Sequence, residues 1–164
     1  RRQKGSFRIM ELDELLEKLT DFAKSSLTSN GKLMPTGMVW NEELRIYGFV
    51  VSMAEESKQG IRALFELEAM DGAGCVAFAS EGWSGTGREA EEYTKAGRKL
   101  ASWAFREEVL IVVGADRHKT NGRIFQIIRA KDETIVDLKE VCQGKEGGVH
   151  GSRFTDNLPW REAA

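Results

Sequence analysis

Tyr47 and Phe49 stand two residues apart in Arg45-Ile46-Tyr47-Gly48-Phe49-Val50-Val51, so on an extended strand their rings share one face. Rings placed in that way can stack on nucleobases, at about 1–3 kcal/mol per base. The same alternation puts Arg123, Phe125, Ile127 and Arg129 on one face of a later run, with a cation on each side of an aromatic. Lys58 and Arg62 lie in and after one loop, and Arg117 and Lys119 lie in another. Together these cations could neutralise a phosphate backbone. The competing readings are structural: Tyr47 and Phe49 as core beneath a helix, and the Arg-Phe-Arg face as solvated exterior.

Other chemistries find little support. His118 and His150 belong to no nucleophile–base or metal-ligand constellation, and Cys75 and Cys142 lie far apart, so no enzyme, metal site or cofactor is expected. The loop 80–88, Ser-Glu-Gly-Trp-Ser-Gly-Thr-Gly-Arg, is glycine-rich ahead of a helix. It lacks the Gly-Lys-Ser/Thr ending of a phosphate-binding loop and reads as a connector, on which Trp83 could stack.

The elements that would position these residues are five strand-like runs, 44–53, 61–70, 74–80, 109–116 and 123–130, with a helix over 88–105 between the third and fourth. Asn121-Gly122 predicts a hairpin between the last two runs, and Asp71-Gly72 predicts another between the second and third. Residues 10–27 carry Leu12, Leu15, Leu16, Leu19, Phe22, Ala23 and Leu27 at helical spacing, which predicts an amphipathic helix. Pro35 and Gly37 make 32–41 a connector. In Arg88–Phe105 the helix would be plugging the fold, with Trp103 and Phe105 as core.

This order resembles the oligonucleotide/oligosaccharide-binding (OB) fold, as found beside replicative polymerase subunits and in anticodon-binding domains. The residues that carry the resemblance are Tyr47-Gly48-Phe49-Val50-Val51, Ala63-Leu64-Phe65-Glu66-Leu67-Glu68, Val76-Ala77-Phe78-Ala79 and Leu110-Ile111-Val112-Val113-Gly114-Ala115-Asp116. It implies a mainly β fold with flanking helices: a five-stranded Greek-key barrel with the helix between strands three and four. The barrel would span 44–140, after a basic lead, amphipathic helix and connector over 1–43 and before a glycine-rich tail over 141–164. In that tail Phe154, Asp156, Leu158 and Trp160, within Asp-Asn-Leu-Pro-Trp, are similar to the tip by which single-stranded-DNA-binding proteins recruit replication and repair enzymes. The alternative is a tail whose Phe154 and Trp160 fold back on the domain.

Composition sets the remaining bounds. The chain has 164 residues, 41% of them hydrophobic and 30% charged, with net charge −2. That fits one globular domain and requires any nucleic-acid groove to be local. The absence of a long apolar run and the two isolated cysteines lead to an expectation of a reducing, intracellular (cytoplasmic or nucleoid-associated) location without membrane association. Residue 1 is Arg, so the sequence reads as lacking its original start or as cut from something longer.

Two functions compete. The first is a single-stranded DNA or RNA binder in replication, recombination or repair, using Tyr47, Phe49, Lys58, Arg62, Arg117, Lys119, Arg123, Phe125 and Arg129. The second is a protein-interaction subunit of a larger nucleoprotein complex with little affinity of its own. Oligomerisation is compatible with both.

Overall fold

The computed structural model describes residues 11–51, 58–85, 87–143 and 154–162. Six antiparallel-paired strands form one open sheet: β1 (Thr36–Asn41), β2 (Ile46–Val51), β3 (Ala73–Ser84), β4 (Glu107–Asp116), β5 (Thr120–Arg129) and β6 (Ile135–Gln143). Their order across the sheet is β2-β1-β3-β4-β5-β6. Among the described residues three α-helices accompany them: α1 (Leu12–Asn30), α2 (Lys58–Met70) and α3 (Gly87–Lys95).

The fold is therefore mainly β with flanking helices, and the expected five-stranded barrel is not formed. The physical reason lies in the central strands. β1 is buried at five successive positions and β3 at six, so their residues are apolar toward both faces of the sheet. A closed barrel offers such strands one interior, whereas a sheet covered on both sides offers two.

One cover is α1. Leu12, Leu15, Leu16, Leu19, Ala23 and Leu27 pack on Met38, Trp40, Cys75, Ala77, Ala79, Leu110, Val112, Phe125 and Ile127. The helix ends at Gly31, which adopts φ 72° and donates its N–H to the Leu27 carbonyl at 2.8 Å. Gly114 lies beneath the first turn, and a Cβ there would sit 2.8 Å from both Leu12 Cδ1 and the Val76 carbonyl oxygen. Gly114→Ala is accordingly expected to destabilise the fold by about 1–3 kcal/mol in urea unfolding, because backbone as well as side chain would have to give way.

The other cover is α2 with the C-terminal strap 154–162. Residues 61–70 are a helix, not the expected second strand. Ile61, Phe65 and Ala69 are buried at a spacing of four, and Arg62 pairs with Glu66 at 2.8 Å one turn on. With Ala, Leu, Glu and Met filling the run and Ile61 its one β-branched residue, local propensity agrees. The turn at Gly72, φ 102°, thus joins a helix to a strand. Phe65 meets β1 at Gly37, where a Cβ would stand 3.0 Å from its ring. The glycine that argued for a connector over 32–41 is there to let α2 approach the strand.

Two further differences concern turns. The β4–β5 hairpin exists, but it turns at Asp116–Lys119. The Asp116 carboxylate accepts the N–H groups of His118 at 2.7 Å and Lys119 at 2.8 Å, while Asn121 and Gly122 lie within β5 opposite Gly114 and Val113. β6 follows a tight turn in which Glu133 takes φ 69°, a conformation its residue type does not advertise. The helix expected over 88–105 stops at Lys95. Gly97 then takes φ 81°, and a 3-10 turn follows at Leu100–Ser102. No helix among the described residues is long and apolar enough to cross a membrane.

Candidate nucleic-acid interface

The residues expected to form one groove lie in separate places. Tyr47 and Phe49 are on β2 at one edge of the sheet, and Phe125 is on β5, four strand spacings away, about 19 Å. Tyr47 and Phe49 stand beside α1, with Lys18 Nζ 5.4 Å from the Tyr47 ring and Phe22 5.3 Å from Phe49, and both remain nearly half exposed. Phe125 is fully buried under α1.

Most of the expected cations have carboxylate or carbonyl partners. Arg123 makes a two-pronged contact with Glu140, at 3.0 and 2.7 Å. Arg129 does the same with Glu108, at 2.8 and 2.6 Å, and donates to the Gly31 carbonyl at 3.0 Å, tying the end of α1 to the sheet. Lys119 lies 3.7 Å from Asp13. Arg62, on the α2 side of the sheet, pairs with Glu66 and donates to the Asp156 carbonyl, and Arg117 donates to the Arg161 carbonyl at 2.5 Å. The Lys58 side chain lies outside the described residues.

The Arg123 hydrogen bonds hold the Glu140 carboxyl below its ordinary value of 4.5. A lowered carboxyl pKa contributes stability that is present above the unfolded-state value and lost as pH falls through the folded one. Glu140→Gln should therefore flatten the acid side of the stability profile: the fall in melting temperature from neutral pH to below pH 4.5 will be smaller than in the parent.

The tail residues form a strap. Phe154 stacks on Phe78 with centroids 4.3 Å apart, Leu158 is buried beside it, and Trp160 packs against the same cluster. The Arg161 N–H donates to the Ala69 carbonyl at 2.9 Å. Offering Phe154, Asp156, Leu158 and Trp160 to a partner would require this strap to lift from the core. Residues 144–153, including His150, lie outside the described residues.

At the end of the sheet bearing the β4–β5 hairpin, a cleft of about 650 Å³ is lined by Glu11, Glu42, Asp116, Arg117, His118 and Arg161, among others, with Cys75 at its wall. Burial, with Asp116 and Glu42 adding to it, pushes the Cys75 thiol up to about 12, which favours its protonated form at neutral pH. Among the described residues no group of three or more His, Cys, Asp or Glu side chains could hold a metal ion.

What the chain does bring together lies at the opposite end, in the excursion 85–106 between β3 and β4. Trp83 is at its base, with the Arg106 guanidinium 4.6 Å above its ring. Arg106 also donates to the Trp103 carbonyl at 3.1 Å. Trp103 stacks on Tyr93 at 6.1 Å and meets Phe105 edge-on at 5.9 Å. Arg98 lies 5.4 Å over Tyr93. Trp83 is 44% exposed and Phe105 74%, so rings and guanidinium groups make a surface track.

Residues 93–106 contribute Lys95, Arg98, Lys99 and Arg106 and no acidic residue. None of those four cations pairs with a carboxylate among the described residues, in contrast to Arg62, Arg88, Lys119, Arg123, Arg129 and Arg161. The acidic side chains of the excursion, Glu89, Glu91 and Glu92, stay on α3. Extending one helix through Gly97 hid this track, because it sent Trp103 and Phe105 to the core. The signal that could have found it is three aromatics and four cations in a stretch with no acid. No family model, curated protein or solved structure matches the chain.

Proposed function

We propose that this protein binds single-stranded nucleic acid, with single-stranded DNA the leading ligand, through the track running from Trp83 by way of Arg106, Trp103 and Phe105 to Tyr93 and Arg98. The carrying observation is that two exposed rings, Trp83 and Phe105, and two half-buried ones, Trp103 and Tyr93, lie beside guanidinium groups that lack carboxylate partners among the described residues. Bases stack on rings irrespective of identity, and unpaired cations exchange their counterions for phosphates. The Arg98–Tyr93 and Arg106–Trp83 contacts, 5.4 and 4.6 Å to the ring centroids, keep each guanidinium beside a ring on which a base can stack, within reach of that base's phosphate. With a net charge of −2 on the whole chain, attraction of nucleic acid rests on a local cluster of cations such as this one. Such binding is sequence-tolerant and needs unstacked bases, so duplex binds more weakly. A role in replication, recombination or repair accords with that preference.

Tryptophan fluorescence tests the reading, because Trp83 and Trp103 belong to the track while Trp40 is buried. Titration with a thymidine oligomer at low salt is expected to quench emission to saturation, and added salt to restore it. Emission unchanged by either a thymidine or a uridine oligomer would remove the proposal.

A further inference from the structure

The two edges of the sheet differ in how they meet solvent. β6 alternates apolar residues with Asp137, Lys139 and Glu140, and its pairing with β5 shifts register twice, between Ile124 and Phe125 and between Ile128 and Arg129. Charges and bulges of that kind discourage a further strand from adding. β2 has neither. It pairs with β1 in unbroken register from Thr36↔Val51 to Asn41↔Ile46, and Ile46–Val51 holds no charged residue and no proline.

The β2 edge is also apolar toward both faces. Ile46 is 56% exposed on one side, Tyr47 44% and Phe49 46% on the other, with Leu44 and Phe22 extending the patch. Around Gly48 the space that a Cβ would occupy is open. Among the described residues no strand pairs along the outer side of β2.

We infer that β2 pairs antiparallel with β2 of a second copy, about a two-fold axis at Gly48. The argument for a second copy is self-complementarity. With Gly48 opposite Gly48, Tyr47 of each chain faces Phe49 of the other, giving two cross-strand aromatic pairs on the α1 side, next to Phe22. The strand carries no charge between Ile46 and Val51, so no like charges meet within this register. The area suffices. The three exposed aromatics alone supply about 250 Å² per copy. With Ile46, Leu44 and the backbone edge added, two copies come to about 1,000 Å² in total if these groups are fully covered, the lower bound for a specific interface. The two sheets would become one continuous sheet with a nucleic-acid track on each copy.

Sedimentation equilibrium of the full chain across a dilution series tests this. The expected result is a mass approaching twice 18.3 kDa at the concentrated end. Tyr47→Lys/Phe49→Lys sets lysines opposite lysines and is expected to give single-chain mass throughout. Tyr47→Lys/Phe49→Glu sets each Lys opposite a Glu of the other copy and is expected to restore the dimer. Ile46→Arg, on the other face of the edge, lowers the dimer fraction without touching the Phe22–Phe49 contact. Circular dichroism melts show whether each variant keeps its fold. Single-chain mass for the parent at every concentration overturns the inference, as does a dimer that survives Tyr47→Lys/Phe49→Lys in folded protein. Failure of the Lys/Glu variant to associate overturns the register at Gly48.

Discussion

Phe125→Ala should cost about 3–5 kcal/mol of folding stability, the usual loss for emptying a fully buried aromatic position. The ring has no exposure, lies under α1 among Leu110, Val112 and Ile127, and carries Lys24 Nζ at 4.2 Å and Arg123 at 5.0 Å over its faces. Nothing could stack on it without removing α1. Urea unfolding followed by circular dichroism measures the loss. Phe125→Leu, which keeps most of the volume, should recover most of the stability and bind thymidine oligomers within about two-fold of the parent, a difference well under 1 kcal/mol. A base-stacking platform on β5 would instead show folded protein with weakened binding.

The second large effect falls on binding. Trp83→Ala/Phe105→Ala removes the two most exposed rings of the track, 44% and 74% accessible, so stability is expected to change little. At the lower end of about 1 kcal/mol per stacked base, losing both costs at least about 2 kcal/mol, roughly 30-fold in affinity. Fluorescence anisotropy with a labelled thymidine oligomer reads the change, and a melt by circular dichroism confirms the fold.

These expectations follow from what the sequence displayed and what it concealed. The stripe from Leu12 to Leu27 announced α1 by its helical spacing, and 109–116 and 123–130 announced β4 and β5 as runs rich in Val and Ile bounded by turn residues. Residues 61–70 read as a strand from their apolar content alone. The four-residue burial of Ile61, Phe65 and Ala69, which decides for a helix, is visible only once β1 supplies the surface they pack on. β1 itself was masked by Pro35 and by Gly37, whose small size serves contact with Phe65 and not a turn.

The candidate site was legible as chemistry and not as place. Aromatics flanked by cations can be read from residue types alone, but pairing cannot be seen in a sequence. Arg123 and Arg129 meet Glu140 and Glu108 across strand pairs that only the register creates. Conversely, Trp103 and Phe105 looked like helix core until Gly97, at φ 81°, turned the chain out of α3. Local patterns fixed residue type, while tertiary register decided which cations kept their charge available.

The most direct measurement is the salt dependence of single-stranded DNA affinity, taken by anisotropy for the parent and for Arg98→Ala/Arg106→Ala. If Lys95, Arg98, Lys99 and Arg106 each neutralise one phosphate, the logarithmic slope of affinity against salt is about −2.8, and the double substitution brings it to about −1.4. Absence of binding at low salt, or a slope that the double substitution leaves unchanged, would contradict the assignment of the interface to this track.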